Sequence, residues 1–316
     1  MMFGWRKKSV EKRFASAPLM TQEQVLSYMQ IGLSQQSSAA INNIDTMQKR
    51  SGEKLSPFRG SGLDYEESRP YQAGDDLRYI NWRLMARTNE LYTKIFREER
   101  ETSRIIVIDR RSAMRFGTRA NLKITRAVQI AAYIAGLSLK QGYSVGGVVM
   151  QDEAIWIDPQ RSRSKVRDWL FSTVEHCEVL NRESSQPELG SLLSQLQMHL
   201  VSGSQIVFIS DFHDLNESHK GVLSQLRQSH QLLAVQVLDP AEEKLPATGA
   251  WPINAYASGD YTTLHANDEL LQMAYAQQSS QVLKDLEALL ASLQVPFIST
   301  RTNQDFDSIV EQLIYV

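Results

Sequence analysis

A chain of 316 residues, 42% hydrophobic and 22% charged, holds enough apolar side chains for one large domain plus a smaller one. Its 34 basic and 36 acidic residues leave a formal charge of -2, so no global field draws it to nucleic acid. Its single cysteine, Cys177, excludes an intrachain disulfide and any multi-cysteine zinc site, and it is read as a buried core thiol in a reducing, cytoplasmic setting.

In chain order, the N-terminal residues Phe3, Trp5, Arg6, Lys7 and Lys8 are basic but lack the apolar stretch of a signal peptide, and they read as a frayed tail or a weak membrane-touching segment. Thr21 and Gln24 have capping-box spacing, and Val25, Leu26, Met29 and Leu33 recur at helical intervals, which predicts a helix over 21–33. A second helix is expected over 39–48. The stretch 51–62, with Gly52, Pro57, Gly60 and Gly62, has the composition of a loop. The chain therefore divides into a tail with helices (1–50), a Tyr/Arg/Asp-rich platform (51–100) and an α/β domain (101–316).

Alternation over 91–96 and the β-branched run 105–108 predict two consecutive strands. Strand patterns at 144–150, 205–210, 232–238 and 295–299 alternate with helical patterns at 121–141, 164–174, 188–200, 218–229 and 305–314. Strand alternating with helix implies a doubly wound, mostly parallel α/β sheet covered on both faces. A short antiparallel edge strand is expected at 153–158, a decorating hairpin at 251–266 and a long helix over 269–293. The longest apolar run, 127–137, is interrupted by Gln129 and falls short of the ~18 residues that span a bilayer, so no integral membrane segment is expected.

In such sheets ligands bind outside the carboxyl ends of the strands, and two of those ends carry aspartate: Asp109-Arg110-Arg111-Ser112-Ala113-Met114 and Ser210-Asp211-Phe212-His213-Asp214. The layout resembles the von Willebrand A-like domain, whose metal-ion-dependent adhesion site uses an Asp-x-Ser-x-Ser loop, a distant Thr and a further Asp. Such hard oxygen ligands suit Mg²⁺. In this chain Arg111 and Ala113 stand at the hydroxyl positions, Ser112 falls between them, and the third-ligand region around Gln186, Pro187, Glu188 and Leu189 offers proline at the aligned position, with Ser191 the nearest hydroxyl. Asp109 and Asp211 alone remain, so the metal site reads as degenerate and no metal or other cofactor is expected. Arg111 is then expected where the cation would sit, paired to Asp109 or Asp211 and offered to a partner's carboxylate; otherwise it is a solvated loop residue. Asp109, Arg111, Ser112 and Asp211 form the expected partner-binding set.

The segment from Arg59 to Thr88 includes Tyr71-Gln72-Ala73-Gly74-Asp75-Asp76-Leu77-Arg78-Tyr79-Ile80-Asn81-Trp82 and then Arg87. It resembles the bacterial family known as domain of unknown function fifty-eight, whose hallmark is Tyr-x-x-Gly-Asp-Asp-x-Arg-x-Ile-x-Trp ahead of a von Willebrand A-like sheet. The resemblance covers roughly 59–316, through Asp109, Met114, Asp211 and Asp239-Pro240. It implies a non-enzymatic adaptor that works with a MoxR-type AAA+ ATPase in assembly or activation of client proteins. Read from the residues alone, Asp64, Glu66, Glu67, Asp75 and Asp76 interleave with Arg59, Arg69, Arg78, Arg83 and Arg87 as an ion-pair lattice, with Gly74 at a tight turn and Tyr71, Tyr79, Ile80 and Trp82 pinning it to a core.

Two other functions stay open. Asp75, Asp76, Asp64 and Glu66 could hold two metals in a hydrolase or nuclease, although no nucleophile and base pair accompanies them. The arginines with Tyr79 and Trp82 could bind nucleic acid, although the neighbouring carboxylates repel phosphate. The six histidines form no metal-ligand pair or triad pattern, and no phosphate loop is present, so any nucleotide hydrolysis would come from a partner.

Overall fold

The computed structural model describes residues 20–35, 63–72, 74–98, 103–118, 121–151, 154–174, 188–245, 250–254, 261–265 and 268–315. The tail, the helix expected over 39–48, the loop over 51–62, Arg59, Cys177 and Pro187 lie outside them.

The β-branched run that the sequence singles out becomes β3 (Ser103–Asp109), near the middle of a six-stranded sheet. Its neighbours are β4 (Ser144–Met150), β5 (Ile155–Gln160), β6 (Gln205–Ser210), β7 (Gln231–Leu238) and β10 (Phe297–Arg301). The spatial order is β10-β7-β6-β3-β4-β5, parallel throughout except for β5, which runs antiparallel on the edge. From β3 the chain first builds toward one edge through β4 and β5, then crosses to the other side of β3 and builds through β6, β7 and β10. That reversal places the topological switch point between the carboxyl ends of β3 and β6.

Side-chain alternation along the strands feeds two cores. Ile106 and Ile108 point to one face, with α1 (Gln22–Ser34), α3 (Lys123–Lys140), α4 (Arg163–Val174) and α9 (Phe306–Tyr315). Ile105 and Val107 point to the other, with α5 (Leu189–His199), α6 (Lys220–Ser229) and α8 (Glu269–Ser292). Sixteen of the eighteen residues of α3 are buried, since it lies against the sheet on one side and beneath α1 on the other. A Cβ on Gly32 would lie 2.1 Å from the Tyr133 carbonyl, and one on Gly136 the same distance from the Met29 carbonyl, so two glycines let α1 and α3 cross at backbone contact. A short helix α7 (Pro240–Glu243) follows β7, and a small antiparallel hairpin is formed by β8 (Ala250–Asn254) and β9 (Tyr261–His265). This is the doubly wound, mostly parallel α/β fold that the sequence implied.

One boundary differs from the sequence reading. The expected boundary near residue 50 sets α1 apart from the sheet, whereas α1 belongs to one compact unit with it, because the apolar stripe of α1 has α3 as its partner. The strand expected at 91–96 is present and directly precedes β3 in the chain. It is β2 (Tyr92–Glu98), paired antiparallel with β1 (Leu63–Pro70) in the second unit, 45–101. β1 reads Leu-Asp-Tyr-Glu-Glu-Ser-Arg-Pro, too polar to announce itself as a strand. That unit also contains a 3₁₀ turn over Leu77–Tyr79 and α2 (Trp82–Thr88).

Candidate functional site

Asp109 ends β3 with its carboxylate at the switch point, buried, and it accepts hydrogen bonds from the Arg111 backbone N–H (2.9 Å) and the Ser210 hydroxyl (2.7 Å). The turn that receives the Arg111 amide sends its side chain back over the same carboxylate. The guanidinium donates from Nε and from Nη2 (2.8 Å) to Asp109, and from Nη2 (2.9 Å) and Nη1 to Asp214. Its side chain is 3% exposed, so Arg111 lies between the β3 and β6 loops and not in solvent. Burial alone would make the guanidinium easier to deprotonate, but the hydrogen bonds and charges of Asp214 and Asp109 outweigh it and hold the group more firmly cationic than usual. Ser112 opens the 3₁₀ turn Ser112–Arg115, half-buried, and Ala113 follows it.

The β6 loop repeats the arrangement with a different cation. Asp211 is buried and receives Lys123 Nζ at 2.7 Å, and the same ammonium donates to Glu242 Oε1 at 2.6 Å. Lys123 is the first residue of α3 and is 1% exposed. Burial would raise the Asp211 carboxyl, but the His213 hydrogen bond and the Lys123 charge hold it well below the ordinary carboxylate range. His213 joins the two halves, with Nδ1 at 2.8 Å from Asp211 and 3.9 Å from Asp214. Between them Phe212 adopts a left-handed φ of 55°, which turns its ring into the apolar core beneath the loop among Leu189, Leu193 and Leu223.

One strand further along, the buried Asp239 caps α7 through the Ala241 N–H and accepts from the Thr118 hydroxyl (2.6 Å), the Thr118 N–H (3.0 Å) and the Thr302 hydroxyl (2.8 Å). Three consecutive strand ends of the sheet thus carry a buried carboxylate, each satisfied by the protein itself: Asp109 by Arg111, Asp211 by Lys123, and Asp239 by threonines and a backbone cap.

The structure brings Asp109, Arg111 and Asp211 to one crevice. It pairs Arg111 with Asp109 and Asp214, while Lys123 takes Asp211. Lys123 and Glu242 were not singled out in the sequence, where Asp214 stood only as the last residue of the Ser210–Asp214 strand end and Glu242 left a trace in the capping-box spacing of Asp239-Pro240-Ala241-Glu242. The residues do not fit a divalent cation. Arg111 and Ala113 offer no hydroxyl to such an ion, and side-chain cations already occupy the two aspartates, Arg111 on Asp109 and Lys123 on Asp211. Among the described residues no cluster of three or more His, Cys, Asp or Glu forms a metal-binding group.

In the second unit the platform residues form a smaller network of their own. Gly74, with a φ of 109°, turns the chain so that Asp75 accepts from the Gln72 N–H (3.0 Å), from Arg69 (2.7 Å) and from the Thr93 hydroxyl (3.1 Å). Those hydrogen bonds, the Gln72 amide first, lower the Asp75 carboxyl. Asp76 caps the turn over Leu77–Tyr79 and binds Arg78 at 2.5 Å, so the adjacent aspartates have different partners. Tyr71 is half-buried and donates its N–H to the Leu91 carbonyl, and Ile80 is buried. Trp82, expected to pin the platform to a core, is instead 61% exposed at the start of α2, and Arg83 and Arg87 are exposed on the same helix. The side chains of Asp64, Glu66 and Glu67 lie outside the described residues.

A family model described as "Protein of unknown function DUF58" matches residues 67–284. The chain is 26% identical over 256 residues to "Uncharacterized protein Rv1480" of Mycobacterium tuberculosis and equally to "Uncharacterized protein Mb1516" of Mycobacterium bovis, covering 81% of this chain and 80% of each relative. Among solved structures it is similar to the conserved hypothetical protein BatB from Bacteroides thetaiotaomicron, at a TM-score of 0.42 and 12% identity over 68% of this chain and 97% of that one. It is also similar to a von Willebrand factor type A protein from Catenulispora acidiphila, at a TM-score of 0.33 and 10% identity over 71% of this chain and 43% of that one. No functional residue carries over from likenesses at this level. Among the described residues no helix is long and apolar enough to cross a membrane.

Proposed function

Because the chain belongs to the DUF58 family, whose model spans most of its length, we propose that it is a non-enzymatic, cytoplasmic adaptor that docks a protein partner on the carboxyl ends of β3, β6 and β7. The observation that supports this reading is a pair of internal cations at the carboxyl ends of the strands, Arg111 across Asp109 and Asp214 and Lys123 across Asp211 and Glu242, at the place where an adhesion-site metal would sit. A site filled by side-chain cations leaves no open position for a Lewis acid, and it lies at the topological switch point where sheets of this class bind their ligands. Neither adjacent aspartate of the platform is free for the alternative of two-metal hydrolysis, since Asp75 and Asp76 are engaged by different partners.

The partner is a MoxR-type AAA+ ATPase, an assignment supported by the sequence resemblance, and the client protein receives the energy of its ATP hydrolysis. The test is recovery of the ATPase on the tagged full-length chain from native lysate, with ATP and without it. Recovery should depend on nucleotide and fall at least tenfold for Arg111→Ala, provided circular dichroism shows that variant folded. Recovery of nucleic acid instead, or of an ATPase indifferent to the Arg111 substitution, would remove this reading.

A further inference from the structure

At a metal-dependent adhesion site the cation faces outward and the ligand is a carboxylate. Here the order of charges is reversed. Arg111 and Lys123 are 3% and 1% exposed, while the carboxylates on their outer sides, Asp214 and Glu242, are 29% and 31% exposed. The inner carboxylates, Asp109 and Asp211, are as buried as the cations. Each half therefore runs from buried acid through buried base to an acid at the surface.

Four carboxylates against Arg111 and Lys123 leave the network with excess negative charge even when His213 is protonated. That excess lies in the outer layer, where a partner would meet it. An exposed aromatic ring lies beside the cation that Glu242 binds: Phe116 is 42% exposed, its ring centroid lies 6.0 Å from Lys123 Nζ, and its carbonyl accepts the Lys123 N–H that begins α3. A carboxylate rim with a neighbouring aromatic face suits a guanidinium, which stacks on the ring and forks to the acid.

Resting on the adaptor reading above, we propose that this face recognises a basic side chain of the partner, an arginine on an exposed protein segment, and not the acidic residue that a metal-bearing site takes. A partner acid would meet two outward carboxylates and could reach a cation only by displacing one of them.

The test uses two synthetic peptides that differ only in a central Arg-Leu-Arg or Glu-Leu-Glu, titrated at equal ionic strength into the isotope-labelled full chain and followed by backbone amide shifts. The arginine peptide should move the signals of Phe116, Asp214 and Glu242, and the glutamate peptide should not. Phe116→Ala, which leaves both ion-pair chains intact, should weaken arginine-peptide binding about two- to fivefold. Glu242→Gln, which retains a side-chain acceptor for Lys123, should weaken it further. Stronger shifts with the glutamate peptide, or none with either, would overturn the proposal. Failure here is separable from failure of the adaptor reading. If the ATPase is recovered and released by Arg111→Ala yet is indifferent to Phe116→Ala and Glu242→Gln, the adaptor stands and the charge preference is wrong. If the arginine peptide binds and no ATPase is recovered, the reverse holds.

Discussion

His213 and His230 titrate in opposite directions, and each should leave its own mark on stability. For His213, burial works against the charged ring, but the hydrogen bond to Asp211 and the charges of Asp211 and Asp214 prevail and raise it above the ordinary 6.5. Its contribution is therefore full below about pH 6.5 and is lost as the pH rises through the folded value. For His230, burial dominates and pushes the imidazole down from 6.5, and its Nδ1 has no hydrogen-bond partner among the described residues. The unfolded chain takes up that proton first, so stability is lost as the pH falls below about 6.5. Urea midpoints measured at acid, near-neutral and mildly alkaline pH should fall on both sides of a maximum. His213→Asn should flatten only the alkaline arm, and His230→Phe only the acid one. A profile in which either variant alters the opposite arm would contradict the assigned directions. These histidines were read in the sequence as unremarkable, since nothing local indicates that the ring of His213 closes on the carboxylate two residues before it while Asp214 stands on its other side.

At the scale of elements, the α1–α3 crossing is a contact with little tolerance. A methyl group at Gly136 would fall 2.1 Å from the Met29 carbonyl, so Gly136→Ala must push the helices apart or displace α1 altogether. The expected cost is about 1–3 kcal/mol, the range for overpacking a close contact. Limited proteolysis checks it: cleavage within 20–35 should appear while the sheet stays protected, and undiminished protection of α1 would mean that the crossing relaxes more easily than its geometry indicates. Both helices were legible because each has a clear apolar stripe, and α1 also a capping box that forms as read, with the Gln24 N–H on Thr21 Oγ1. Their mutual contact was not, because a glycine in a helix carries no sign of which backbone it will meet. The covered strands β4 and β6 agree with the sequence reading to the residue, since solid apolar runs are buried on both faces. β10 begins at Phe297 and extends to Arg301, past the predicted end, because the polar Thr300 is itself buried with its hydroxyl on the Gln236 carbonyl. Polar residues that join a sheet through tertiary hydrogen bonds give no alternation to read.

At the scale of the whole molecule, the carboxyl edge of the sheet is held by contacts between residues far apart in the chain. Lys123 reaches Asp211 across 88 positions and Glu242 across 119, and Thr302 reaches Asp239 across 63. This is why the sequence pointed to the aspartates, which end apolar runs, but not to the lysine that neutralises one of them. The same distribution predicts a face that folds without metal. Cross-linking of successive loops, which an ion performs where hydroxyl ligands are present, is here done by side chains that fold with the protein. Magnesium or a chelator should therefore leave the melting temperature of the native chain unchanged. Replacing Arg111→Ser, Ala113→Ser and Lys123→Ala together returns two hydroxyls to the β3 loop and frees Asp109 and Asp211. That triple variant should start out less stable, because buried carboxylates lose their partners, and then recover about 2.7 kcal/mol when magnesium reaches a hundredfold excess over its dissociation constant. Melting curves with and without magnesium measure both effects. A native chain that responds to the ion would show that Arg111 and Lys123 yield to it. A triple variant that stays indifferent would mean that the backbone of the β3 loop, and not its side chains alone, has left the geometry a metal requires.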